Sequence, residues 1–176
     1  NGAHAVAIGQ SANAVSGGVA LGYNALAPQD AAVAIGWSAN ATRSASGIAI
    51  GDRANATGKN AIAIGGNANE TATSANGAGA LAVGSGAQAV GTGAVAFGGL
   101  GGTAGGSRAT NTYAVAIGAA AQATGSGAVA VGGDATSAAV AAGTNSLAFG
   151  AGAKTNTGRT RAVAMRGNTQ AKAYEE

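Results

Sequence analysis

The amino-acid sequence predicts an all-β fold, a parallel β-solenoid (a β-roll) with coils of about 14 residues. Three observations carry that reading. A stretch of large apolar residue, Ala, large apolar residue, Gly recurs eleven times along the 176 residues. A second stretch of small, polar, small residues follows it at a fixed offset. Beyond alanine there are only 31 apolar residues, and 22 of them lie in the first stretch, too few for a thick globular core.

The first strand of each coil comes from the first stretch. Its copies are Val6-Ala7-Ile8-Gly9, Val19-Ala20-Leu21-Gly22, Val33-Ala34-Ile35-Gly36, Ile48-Ala49-Ile50-Gly51 and Ile62-Ala63-Ile64-Gly65. They continue as Leu81-Ala82-Val83-Gly84, Val95-Ala96-Phe97-Gly98, Val115-Ala116-Ile117-Gly118, Val129-Ala130-Val131-Gly132 and Leu147-Ala148-Phe149-Gly150. The last, Val163-Ala164-Met165-Arg166, lacks the glycine. In a strand the two large residues share one face and the Ala takes the other. Volume argues that the large residues of all eleven copies form the core of their own coil, with the middle Ala toward a neighbouring chain. The Gly marks a turn or a close backbone approach.

Successive positions of that glycine step by 13, 14, 15, 14, 19, 14, 20, 14 and 18 residues, and Arg166 follows 16 later. The second strand begins three residues after the glycine, where Ala stands in nine of eleven units, among them Ala12, Ala39, Ala54, Ala68 and Ala135. Pairs such as Ala54-Asn55-Ala56 alternate small and polar, the pattern of a short strand with one buried face. The polar members Asn13, Asn40, Asn55, Gln88, Gln122 and Lys154 are expected to form an outer ladder and are candidate ligand contacts.

Long steps place insertions near residues 69–78, 99–111 and 137–145, with an irregular tail over 167–176. The whole of 1–176 then reads as one domain of about eleven coils. Extra residues in a solenoid bulge outward, where binding usually lives. A coil this poor in large side chains buries little apolar area alone. Several stacks packed side by side would bury more, so a cyclic homo-oligomer is expected.

Composition excludes much else. With 33 Gly but one Pro the chain is not collagen, and with no Cys it has neither disulfides nor thiolate chemistry. The net charge of +3 lies entirely from Lys154 onward, and basic residues do not interleave with aromatics, so no nucleic-acid surface is expected. His4 is the only histidine and the six carboxylates are scattered. No catalytic residue, metal site or cofactor is therefore expected. The run from Gly98 to Gly106 lacks the Gly-Lys-Ser/Thr ending of a phosphate loop. Tyr23 and Trp37 each directly follow a repeat glycine, so they occupy one point of neighbouring coils. They are candidates to anchor a ligand, to pack on a partner chain, or to cover a turn.

The units resemble the head repeats of trimeric autotransporter adhesins, the YadA-like or haemagglutinin-type repeat. The shared core is Ser/Ala-Val-Ala-Ile-Gly-x-x-Ala/Ser. Its clearest copies are Ala61-Ile62-Ala63-Ile64-Gly65-Gly66-Asn67-Ala68 and Ala128-Val129-Ala130-Val131-Gly132-Gly133-Asp134-Ala135. The resemblance implies a left-handed parallel β-roll, with three chains around a threefold axis. It implies a head on the outer surface of a Gram-negative bacterium, with virulence-associated adhesion to collagen, fibronectin, laminin or cell-surface receptors. A membrane anchor would lie in C-terminal regions outside this sequence.

Three other functions compete with a non-enzymatic adhesin. A left-handed β-helix acyltransferase uses an 18-residue coil and a catalytic histidine, and the 14-residue step and the lone terminal His4 argue against it. An ice-binding solenoid needs a regular Thr-x-Thr array, and the threonines here are irregular. A passive rigid spacer in a surface fibre fits the repeat as well as an adhesive head does.

Overall fold

A computed structural model describes residues 3–42, 46–66, 71–99, 105–134 and 136–165, with the backbone of a last strand at 170–171. Two parallel sheets run the length of the stack. Sheet A holds Val6–Ile8, Val19–Leu21, Val33–Ile35, Ile48–Ile50, Ile62–Ile64, Leu81–Val83, Val95–Phe97, Val115–Ile117, Val129–Val131, Leu147–Phe149 and Val163–Met165, in chain order. Sheet B holds Asn55–Ala56, Ser74–Ala75, Gln88–Ala89, Arg108–Ala109, Gln122–Ala123, Val140–Ala141, Lys154–Thr155 and Gln170–Ala171. Asn13–Ala14 and Leu26–Ala27 pair with each other, and Asn40 bridges Leu26 to Asn55, which carries the ladder on. The described residues contain no helix.

Register is unbroken. Ile48 faces Ile62, Ala49 faces Ala63 and Ile50 faces Ile64, and the same match recurs between the other successive sheet A strands. At about 4.8 Å per strand, eleven strands give a stack on the order of 50 Å long. The solenoid expected from the 14-residue period is present, with about ten coils.

The faces are the reverse of the sequence expectation. In every sheet A strand from Val19–Leu21 onward the middle Ala is buried, and the first and last residues are half-buried or exposed on the outside. Ala63 has no exposed surface, whereas Ile8 is 65% exposed and Phe97 51%. The 22 large residues, Val6 and Ile8 through Val163 and Met165, are therefore not the core of their own coil. That core is alanine from both sheets: Ala61 and Ala63 on one wall, Ala54 and Ala56 on the other.

The turns explain why. Ala54 N–H donates to Gly51 O (3.3 Å) at the corner leading from sheet A to sheet B, and Ala61 N–H to Gly58 O (3.0 Å) at the return. A four-residue turn brings its ends within about 7 Å, whereas sheets packed through Val or Ile side chains stand about 10 Å apart. The gap admits small side chains only. Choosing faces by side-chain volume failed because the turn, not the strand, sets the width of the interior.

The repeat glycine has a separate cause. Gly51 has φ +126, and a Cβ there would strike the carbonyl of Gly65 in the next coil. Gly9, Gly22 and Gly36 repeat this contact. Few inward positions are polar, and the described ones are hydrogen-bonded. Thr155 Oγ1 donates to Ser146 Oγ (2.9 Å) and accepts from Ala142 N–H (3.0 Å).

The insertions are narrower than the sequence suggested. Ser74–Ala75, Arg108–Ala109 and Val140–Ala141 are regular sheet B strands inside the expected segments 69–78, 99–111 and 137–145. The extra residues all precede those strands, at the corner that leads from sheet A to sheet B. Thr73, Ser107 and Ala139 fill the inward positions before the paired strand residues, so the fixed offset from glycine does not hold in these three coils. Ala68 and Ala135, assigned by that offset, lie outside the described residues, as does most of the tail.

Candidate interaction surface

Sheet A turns an apolar outer face to the surroundings. The first and third residues of each strand make two columns, one running from Val6 to Val163 and the other from Ile8 to Met165. No charged residue interrupts either column. Successive strands are in register, so each column is continuous along the stack.

Sheet B presents a different face. Its outer column reads Asn13, Leu26, Asn40, Asn55, Ser74, Gln88, Arg108, Gln122, Val140 and Lys154. The six residues expected to form an outer ladder thus lie on one column. Asn13 and Lys154 are exposed, and the four between them are half-buried. Ser74 and Arg108 belong to the same column but were missed, because the insertions hid their phase. The Oδ1 atoms of Asn40 and Asn55 are buried without a hydrogen-bond partner.

The corner between the sheets carries the third feature. Tyr23, Trp37 and Arg53 come from the turns of three successive coils. Ser38 N–H donates to Tyr23 O and Arg53 N–H to Trp37 O, each at 2.8 Å, which locks the turns in register. The rings of Tyr23 and Trp37 stack with centroids 6.2 Å apart and planes 11° from parallel. Arg53 Cζ lies 4.4 Å from the Trp37 ring centroid. Both aromatics remain 44% exposed. Sequence reasoning found the two rings by their shared phase and missed Arg53, which sits one residue later in its turn.

The insertions leave and rejoin the coil at this same corner, in alternate coils. Hydroxyl groups close the bases of two. Thr73 Oγ1 reaches Gly66 O (3.1 Å) and Gly84 O (2.8 Å), and Ser107 Oγ donates to Gly98 O (2.9 Å). A substitution of inward Ala by Ser or Thr directly after an insertion was the available sequence signal. In the third loop Asp134 Oδ1 accepts from Thr136 N–H (2.8 Å), Thr136 Oγ1 (2.8 Å) and Ser137 N–H (2.7 Å). The hydrogen bond from the Thr136 backbone leads these in holding the carboxyl below its ordinary range.

His4 is exposed, and among the described residues no three of His, Asp and Glu gather where a metal ion could be held. Compared with known families, residues 16–39, 45–68, 75–100, 109–135 and 137–165 match the model of the YadA head domain repeat. The chain belongs to the YadA head repeat family. No curated protein matches it. The five matched segments span most of the stack, so the family's repeat and the coils coincide. YadA-like heads are parts of bacterial surface autotransporter adhesins, generally non-enzymatic.

Proposed function

We propose that this YadA head segment is the non-enzymatic head of a trimeric surface adhesin on a Gram-negative bacterium. Three copies pack as left-handed rolls around a threefold axis, with the sheet A outer faces turned inward. The observation that carries the proposal is the pair of uninterrupted apolar columns on sheet A. A charge-free apolar strip along a stack on the order of 50 Å long is an association surface, not a solvated one. With that face covered, sheet B and the loop corner remain for host molecules.

Binding on such a surface is shallow and repeated. Each site occurs three times per trimer, and the sheet B column offers similar groups at successive levels. Weak contacts then combine into retention through effective concentration rather than through one deep pocket. Asn13, Asn40, Asn55, Gln88, Gln122 and Lys154, together with the corner residues Tyr23 and Trp37 and the three loops, are the proposed contacts. Collagen, fibronectin, laminin and cell-surface receptors are the ligand classes.

Retention of the trimer on each immobilised matrix protein and on host cells tests this. The trimer should be retained more than a hundredfold better than a single sheet-A-disrupted chain. Alanine replacement of the ladder, or shortening of the loops, should reduce that retention. Retention on none of these surfaces would leave the head a passive spacer.

A further inference from the structure

We propose that Tyr23, Trp37 and Arg53 form the anchor of a docking surface for a folded protein partner that presents a carboxylate beside an apolar group. The inference rests on the adhesive reading and narrows it to one corner of coils two to four.

Arrangement and chemistry both point there. Trp37 stacks with Tyr23 at 6.2 Å and carries the Arg53 cation 4.4 Å from its ring centroid, yet 44% of Trp37 and of Tyr23 stays in contact with solvent. An indole engaged by a second ring and a cation offers less open face to a sugar ring than a lone one. A protein surface uses the exposed ring edges, the Tyr hydroxyl and the indole N–H as well as the faces. Trp, Tyr and Arg are also the residue types that dominate binding energy at protein interfaces.

The cation selects the partner's charge. A guanidinium lying over a ring keeps N–H donors for a carboxylate, which it can grip through two parallel bonds. At the matching turn position other coils have the small residues Ser11, Asn24, Ser38, Gly86, Ala120 or Gly152, each with a positive φ. Arg53 stands there at φ +52, so the cation is placed at a position that otherwise favours small residues. The flanking residues Ser11, Asn24 and Ser38 give adaptable hydrogen bonds around a rigid aromatic anchor, the composition of an antibody paratope.

The anchor is preorganised. The backbone hydrogen bonds from Ser38 to Tyr23 and from Arg53 to Trp37 fix the three turns relative to one another. With the turns fixed and the rings and cation already in contact, less freedom is left to lose on binding, which favours affinity at a small site.

The test uses the assembled chain on immobilised fibronectin and laminin. Trp37 is the only tryptophan, so fluorotryptophan incorporation gives one fluorine resonance that reports on this corner. Added soluble fibronectin or laminin should shift or broaden that resonance. Trp37→Ala and Arg53→Gln should each speed dissociation at least tenfold, with mass and melting temperature unchanged. Arg53→Lys should recover only part of the loss, because an ammonium lacks the fork. Four results would overturn the inference: an unmoved resonance with clear retention, retention unaffected by both variants, retention lost on deglycosylating the coated protein, or a variant that falls to monomer. The first two leave the adhesive reading standing. Failure of the unaltered chain to be retained at all removes both.

Discussion

Ala63 and Ile64 show what one residue decides in this fold. Ala63 is enclosed between two walls of methyl groups, and Ile64 is 39% exposed on the other side of the same strand. Ala63→Leu has nowhere to put three more carbons, because the turns hold the walls together. It should cost at least about 1–3 kcal/mol and unfold the coil locally. Ile64→Asp should leave the coil folded and separate the chains, since the charge would be buried only on assembly. Circular dichroism with sedimentation distinguishes the two; an unfolded Ile64→Asp chain would restore the original assignment of faces. That assignment was within reach of the sequence. Fourteen residues less two short strands leave room for tight turns only, and tight turns admit only small inward side chains, so alanine and not Val or Ile had to face inward.

Asp134 adds a pH dependence at the same scale. Its folded carboxyl titrates below the ordinary aspartate value of about 3.9, chiefly because the Thr136 N–H donates to it. A depressed folded pKa means that the contribution to loop order is present above the unfolded value and is lost as pH falls through the folded one. The amide shifts of Thr136 and Ser137 should therefore move together toward random-coil positions below about pH 4. Asp134→Asn, which keeps an acceptor but no titratable charge, should abolish that movement. A pH profile unchanged by the substitution would exclude Asp134 as its source.

Among the elements, the turn governs the solenoid more than the strand does. Gly51→Ala places a Cβ against the next coil's carbonyl at φ +126, where L residues are rarely found. The strain alone is about 1–3 kcal/mol, and the clash adds to it. The urea midpoint should fall clearly, and an unchanged midpoint would mean that adjacent coils are not stacked this closely. Both strands of a coil were legible, because alternation of small and large residues survives every insertion. The side of the second strand on which each insertion falls was not. The spacing from Gly65 to Gly84 counts residues without ordering them, so Ala68 stood in for Thr73. The pairing of Ser74 with Asn55 and the buried hydroxyl of Thr73, closing the loop on Gly66, separate the two alignments.

The whole molecule is a scaffold with two unlike long faces and one elaborated corner. Period and phase made the solenoid readable from sequence, since eleven similar units vote on one architecture. The aromatic pair was readable too, by its shared place in the repeat. The stack with Arg53 was not, because a cation over a ring depends on the backbone direction of a turn. What the faces do follows from their contrast. Sheet B is polar enough to stand in water, and sheet A exposes Val, Ile, Leu, Phe and Met along its length. Such a strip calls for a cover of matching length and register, and in the proposed assembly a second and third copy of the same chain would supply both. Light scattering of the chain at micromolar concentration tests this most directly. The account predicts one species of three times 16.1 kDa that persists on dilution, and a stably folded species of 16.1 kDa would contradict it.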